Sequence, residues 1–343
     1  GRRPSPWAAA FSGVVMAILV PGGAGYIGSH NVKTLLENGR EAVVIDNLLT
    51  GHRQAVPREV PFYKGDIRNP ADLDKIFANH RIDSVLHFAA SSLVAESMVK
   101  PLDYFNNNVL GMQSLLAAMV RHEVDKIVFS SSAAVYGKAE KMPIEEDAQL
   151  LPTNPYGESK LMMEKMMRWT ALAHGMRYVI LCYFNVAGAW PGGEIGEDHR
   201  PESHLLPLIL QTALGNRPHI AIYGEDYPTR DGTCIRDYLD VTDLADAHER
   251  ALNHLENGAE SLVCNLGNGQ GYSVREMIDV VRKVTGRDFP VRHEARRPGD
   301  PPMLIASSKK AHDELGWQSQ KSLEDMIASA WDWHRLHPAG YGD

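Results

Sequence analysis

The chain has 343 residues, 44% hydrophobic and 23% charged, a balance that excludes disordered and collagenous classes and suits two domains or one large α/β unit. Lys and Arg number 35 against 43 Asp and Glu, a net charge of −8 with no basic run of five, so nucleic acid and membrane surfaces are set aside as partners. Three distant cysteines, Cys182, Cys234 and Cys264, without a C-x-x-C pair, argue against a disulfide framework or structural zinc and suit a reducing, cytoplasmic compartment.

Arg2-Arg3 followed by the apolar stretch from Trp7 to Val20 has the outline of a secretory signal but no cleavage-like break. Residues 1–15 are instead read as a leader of vector or untranslated origin ahead of Met16. No other stretch reaches 18 uninterrupted apolar residues, so no membrane span is predicted.

From Met16, short β-branched runs alternate with amphipathic stretches. Strands are predicted at 17–20, 41–46, 84–88, 126–130 and 178–182, and helices at 26–38, 72–78, 109–121 and 156–174. Strands apolar on both faces and alternating with helices imply a doubly wound parallel-sheet Rossmann domain over 16–185. Beyond it, Gly, Pro and Asp become frequent, and helices at 205–214, 241–255, 274–284 and 323–334 are separated by irregular stretches. Residues 186–343 are read as mainly a smaller α/β substrate-binding lobe, with some segments returning to the first domain.

The first strand runs into Gly22, Gly23, Gly25 and Gly28, spaced G-x-x-G-x-x-G around Tyr26 and Ile27 and opening a helix. Glycines there allow a tight turn, backbone approach to a pyrophosphate and close helix packing, with the phosphate at the helix N-terminus. Asp46 follows Gly28 by 18 residues at the end of the next strand, where a carboxylate accepts hydrogen bonds from a ribose diol and repels a 2′-phosphate. That favours NAD over NADP. Two further strand ends, Asp66-Ile67 and Phe88-Ala89-Ala90, extend the same edge.

Ser130 to Ser132 close the fifth strand, and Tyr156 and Lys160 open the helix after it, four residues apart and so about 40° apart on one helical face. A neighbouring ammonium favours phenolate, and a cationic nicotinamide acts the same way, so the Tyr156 pKa is expected to fall. Tyr156 as base, Lys160 as its electrostatic support and Ser132 as partner of the reacting oxygen make an alcohol/ketone hydride site. His248 and His254, on an expected surface helix, and His334 and His337 lack partners at ligand spacing, so no metal is expected. Met162, Met163, Met166 and Met167 are read as core or subunit packing, and Cys182 as a buried filler.

With GGAGYIGSH from Gly22, SSSAAVYG from Ser130, NPYGESK from Asn154, YFNVAG from Tyr183, YPTRDGTCIRDY from Tyr227 and RRPGD from Arg296, the chain resembles the extended short-chain dehydrogenase/reductases. The finer resemblance is to the UDP-glucose 4-epimerase family. It implies tightly held NAD, contacted also by Asn47, Asn107, Ser130 and Tyr183, and a hydride taken from sugar C4 and returned to the other face of a bound 4-keto sugar. It further implies that Asn185, His204, Leu205, Tyr223, Arg236, Val274, Arg297 and Asp300 hold the UDP-sugar, and that helices 109–121 and 156–174 build a homodimer.

Four positions depart from the family pattern, and a fifth bears on substrate choice. Pro21 stands for a Thr, Ser92 for a Lys that some members direct at a cofactor phosphate, Ala134 for a Thr, and His204 for an Asn, while Leu304 occupies a position thought to gate N-acetylated substrates. A 4,6-dehydratase would carry an Asp-Glu pair where Ala133-Ala134 stand. A 4-epimerase of UDP-N-acetylglucosamine, UDP-glucuronate or UDP-xylose stays open, as does a non-catalytic NAD-binding sensor.

Overall fold

The computed structural model describes residues 16–297 and 300–342, so the leader read from the sequence lies outside the described residues. Seven strands form the main sheet: β1 (Ala17–Pro21), β2 (Glu41–Asp46), β3 (Phe62–Lys64), β4 (Ile82–His87), β5 (Lys126–Ser132), β6 (Arg177–Tyr183) and, from far along the chain, one spanning Leu262–Leu266. All neighbours in it are parallel, with β3, β2, β1, β4, β5 and β6 side by side and Leu262–Leu266 outside β6. Chain order reverses between β1 and β4, where doubly wound sheets open a crevice at the C-terminal strand ends.

Helices α1 (Tyr26–Glu37), α2 (Pro70–Asn79), α3 (Val94–Val99), α4 (Pro101–Tyr104), α5 (Gly111–Arg121) and α6 (Pro155–His174) connect these strands, with a π-helical stretch Phe105–Leu110 leading into α5. Each sheet face buries its own apolar cluster. One holds Leu19, Ile45, Leu115, Phe129 and Met167; the other holds Val20, Val44, Val128, Leu252 and Trp317.

The second half builds β7 (Asn185–Ala187), α7 (Leu205–Ala213), β8 (Ile220–Tyr223), β9 (Ile235–Arg236), β10 (Tyr238–Asp240), α8 (Val241–Glu256), β11 (Leu262–Leu266), β12 (Tyr272–Ser273), α9 (Val274–Thr285), β13 (Val291–Glu294), β14 (Met303–Leu304), α10 (Lys309–Leu315) and α11 (Leu323–Leu336). A third cluster around Leu210, Ile222, Met277 and Ile327 is the core of this lobe.

Helix α8 keeps an exposed face at Arg250, Asn253 and Glu256, but His248 is not on it. Its apolar face packs on α1 and the main sheet, and His248 is fully buried, with Nδ1 2.9 Å from the Leu244 carbonyl and its ring 4.8 Å from that of Phe88. An isolated helix pattern does not show that both flanks are covered. Met163 and Met167 are core, whereas Met162 is partly exposed; Cys182 is buried, and all three cysteines are free.

Candidate active site

The turn after β1 sets the floor of the site. Gly22 has φ +80°, and a Cβ there would lie 2.5 Å from the Ala89 nitrogen, so only glycine lets the ends of β1 and β4 meet. Pro21 has no N–H to donate at the strand end, but its carbonyl ties β1 to β4 by accepting from Phe88 N at 2.9 Å and Ala89 N at 3.0 Å. Asp46, at the end of β2, accepts from Ala24 N at 3.0 Å and from Leu48 N at 2.8 Å, which locks its carboxylate beside the glycine turn. Burial raises its pKa against those two bonds. Asp66 grips the Arg68 guanidinium at 2.9 and 2.6 Å, and that pairing holds its carboxyl at about 2.

Across the crevice, Asn154 caps α6 by accepting from Gly157 N at 2.9 Å, and Pro155 starts the helix with its φ already set. Gly157 seats this end on the turn after β5, since a Cβ there would come within 2.5 Å of the Ala134 carbonyl. The seating brings Tyr156 to Ser132. Lys160, one turn on and buried, donates to the Ser130 carbonyl at 2.8 Å, with Nζ 6.0 Å from the centre of the Tyr156 ring. The Ser130 hydroxyl pairs with the Tyr183 phenol on β6.

Burial raises the Tyr156 phenol, with the Ser132 hydroxyl pulling the other way, and lowers Lys160 to about 7 despite Glu164. The expectation that Lys160 depresses Tyr156 therefore does not hold for the protein by itself. Desolvation is the largest influence on both groups, raising the phenol and lowering the ammonium. Glu164, one further turn along and buried, accepts from Ser131 Oγ at 2.6 Å and lies beneath Lys160. The sequence reading missed it, although i,i+4 spacing from Lys160 would have indicated it.

These parts line one cleft of about 630 Å³, within the range of small-ligand sites. Gly22, Gly25, Tyr26, Ile27 and Gly28 form one wall, with Asp46, Asn47, Asp66 and Ile67 beside them. Phe88, Ala89, Ala90 and Asn107 line the middle, and Ser130, Ser132, Tyr156, Lys160, Tyr183, Asn185 and His204 the far wall. Ser92 faces the same cleft, as do Lys100, Glu197, His199 and Arg200, none of which the sequence reading named as site residues.

Leu205, Tyr223, Arg236, Val274, Arg297 and Asp300 do not line that cleft. The structure places five of them on the second lobe, three around Arg236 and two as a stacked pair. Arg236 on β9 lies between Tyr272 of β12 and Leu304 of β14, its guanidinium 3.8 Å from Asp300, and Val274 N donates to the Cys234 carbonyl. Arg297 stacks on the Tyr223 ring at 3.9 Å. Asn185 joins the two groups by donating its backbone and side-chain N–H to the Asp237 carbonyl, next to Arg236. Asp237, buried, accepts in turn from Asn268, Gly269 and Ala306 N, fixing the strand that carries Arg236.

The chain matches the NAD dependent epimerase/dehydratase family over residues 18–267. It is 56% identical to a UDP-glucose 4-epimerase of Halalkalibacterium halodurans, covering 95% of this chain and 98% of that one, and 55% identical to one of Streptococcus mutans, covering 96% and 99%. The chain belongs to this family, among its UDP-glucose 4-epimerases. A crystal structure of UDP-glucose 4-epimerase superposes with a TM-score of 0.94 at 52% identity, covering 95% of this chain and all of that one. The Brucella ovis UDP-glucose 4-epimerase in complex with NAD superposes at 0.90 and 46% identity, covering 92% and 98%.

The family's NAD fits the residues present. At Gly25 an added Cβ would meet only the Gly22 carbonyl, at 3.4 Å, so the protein itself leaves room that the turn keeps open beside the N-terminus of α1. Among the described residues no helix is long and apolar enough to cross a membrane.

Proposed function

We propose that this chain interconverts UDP-glucose and UDP-galactose by reversible 4-epimerisation through a transient 4-keto sugar. The observation that carries the reading is the meeting of Tyr156, Ser132 and Lys160 opposite the glycine turn in one cleft. NAD, when bound, supplies hydride acceptance and return at sugar C4 and a positive charge beside Tyr156.

The Tyr156 oxygen takes the 4-hydroxyl proton and gives it back to the 4-keto oxygen after the sugar has turned. Ser132 donates to the same oxygen and keeps it within reach of the phenol. Lys160, anchored on the Ser130 carbonyl, sets the electrostatics of Tyr156; its own pKa of about 7 makes that support pH-dependent. Because the hydride is returned, no net oxidation occurs.

Holding the nucleotide is the role of the second group. Arg236 and Arg297 offer the donor forks that suit a pyrophosphate, and Asp300 suits a ribose diol. Asn185, Tyr223, Val274 and Leu205 complete the UDP-sugar site. The domain division at residue 185 separates cofactor from nucleotide-sugar binding, with α8 and β11 returning to the first sheet.

A homodimer is part of the same proposal. Leu110, Met162, Trp169 and Leu172 are exposed apolar side chains at or on the π-helical stretch and α6, with Trp169 71% and Leu172 77% exposed. Such a patch is characteristic of an interface. The deciding test is incubation of the protein with UDP-glucose, UDP-galactose and their N-acetyl counterparts, with separation of the products. Absence of turnover even with added NAD refutes the assignment; turnover of the N-acetyl pair alone moves it to another UDP-sugar.

A further inference from the structure

The segment between β7 and α7 brings together four side chains that hydride and proton transfer do not require. Glu197, His199, Glu202 and His204 each present one donor atom, and the four atoms lie within 4.8 Å of one another. His204 Nδ1 is 2.7 Å from Glu197 Oε1 and 3.2 Å from Glu202 Oε1. His199 Nδ1 is 3.0 Å from Glu197 Oε1 and 3.8 Å from Glu202 Oε2.

Charge balance frames the question. Both carboxylate side chains are only 6% exposed, so their two negative charges need compensation in place. Two imidazolium ions would supply it, but the rings are 5.2 Å apart and would then repel. One divalent cation with two neutral imidazoles supplies the same charge without that repulsion. In a tetrahedral site with bonds of about 2.0–2.2 Å neighbouring donor atoms lie roughly 3.3–3.6 Å apart; the His–carboxylate gaps here run from 2.7 to 3.8 Å and all four donors lie within 4.8 Å of one another, so shifts of under about 1.5 Å would close the set on one ion. Two imidazoles with two carboxylates match zinc better than the all-oxygen sets of magnesium or calcium.

We propose that Glu197, His199, Glu202 and His204 form a closed tetrahedral site for a zinc-class divalent metal, which fastens the 197–204 segment against the cofactor cleft. With four protein ligands the site has no open position, so its role is structural. The segment is already placed for it: the Glu197 carbonyl accepts from Trp333 Nε1 at 3.0 Å, and the His199 ring meets the edge of Tyr26 at the start of α1. The proposal does not depend on which sugar is turned over.

The test uses the full chain, stripped of metal with a chelator and titrated with Zn²⁺ and Co²⁺. One ion per chain, the intense visible bands of tetrahedral Co²⁺ and a Zn²⁺-dependent rise in Tm are expected. Glu202→Gln and His199→Gln should each weaken binding at least tenfold and abolish those bands. Absence of stoichiometric binding, a weak octahedral Co²⁺ spectrum, or unchanged affinity in folded variants overturns the proposal; if a variant fails to fold, the parent titration decides alone.

Discussion

Gly25→Ala separates the needs of the fold from those of the cofactor. Gly25 caps α1 with φ −76° and ψ 171°, which any residue adopts, and its added Cβ would touch only the Gly22 carbonyl at ordinary contact distance. Alanine at an N-cap costs a few tenths to about 1 kcal/mol relative to glycine, and restricting the unfolded chain returns about 0.4–1 kcal/mol. The fold should thus change by less than about 1 kcal/mol, or about 2 °C in Tm. Next to a pyrophosphate the same methyl holds the ligand off the helix N-terminus, and losing one charged hydrogen bond there costs about 1.5–3 kcal/mol, roughly ten- to a hundredfold in Kd.

Gly28→Ala is the contrasting case. Its Cβ would fall 2.1 Å from the Gly22 carbonyl oxygen and 2.9 Å from both Gly22 C and Gly23 Cα, all main chain. Overpacking of that kind costs about 1–3 kcal/mol of stability or more. The assay pairs calorimetric Tm with NAD titration of protein stripped of cofactor. A Gly25→Ala protein that rebinds NAD within twofold of the parent refutes the close-approach argument, and a Tm loss as large as that of Gly28→Ala refutes the claim of room.

Three further outcomes are expected. Tyr156→Phe should lower the 4-epimerisation rate about 10²- to 10⁴-fold with Tm nearly unchanged; near-parental turnover removes Tyr156 from its role. His248 is held by burial at about 4, so the folded state stays neutral while the unfolded chain takes up a proton as pH falls below 6.5. Stability present above pH 6.5 is then lost toward pH 4, about 2 kcal/mol of it by pH 5, and His248→Phe should flatten the change in Tm between pH 7 and pH 5; an unchanged slope contradicts this. Trp169→Glu with Leu172→Glu should yield a monomer by analytical ultracentrifugation if the exposed face of α6 joins two copies, and a dimer that persists counts against that interface.

Much of the cofactor half is readable without coordinates because its signals are local. The strand, glycine turn and helix from Ala17 to Glu37, the carboxylate of Asp46 at the next strand end, and Tyr156 and Lys160 on one helical turn all follow from backbone geometry over a few residues. Chain-local periodicity could not show that α8 is covered on both flanks, that Leu262–Leu266 joins the first sheet beside β6, or that His248 is buried.

The sequence by itself thus determined the doubly wound fold, the dinucleotide turn and the chemical types of the hydride site, since each is encoded in spacing along one element. Only the tertiary structure decided the electrostatics and the meeting of distant segments. Burial of Tyr156 and Lys160 together reversed the shift expected from their pairing, because desolvation depends on everything packed around them. Arg236 met Asp300, and Glu197 met His199, Glu202 and His204, because a strand pairing in one case and a folded connecting segment in the other fix distances that sequence separation leaves free.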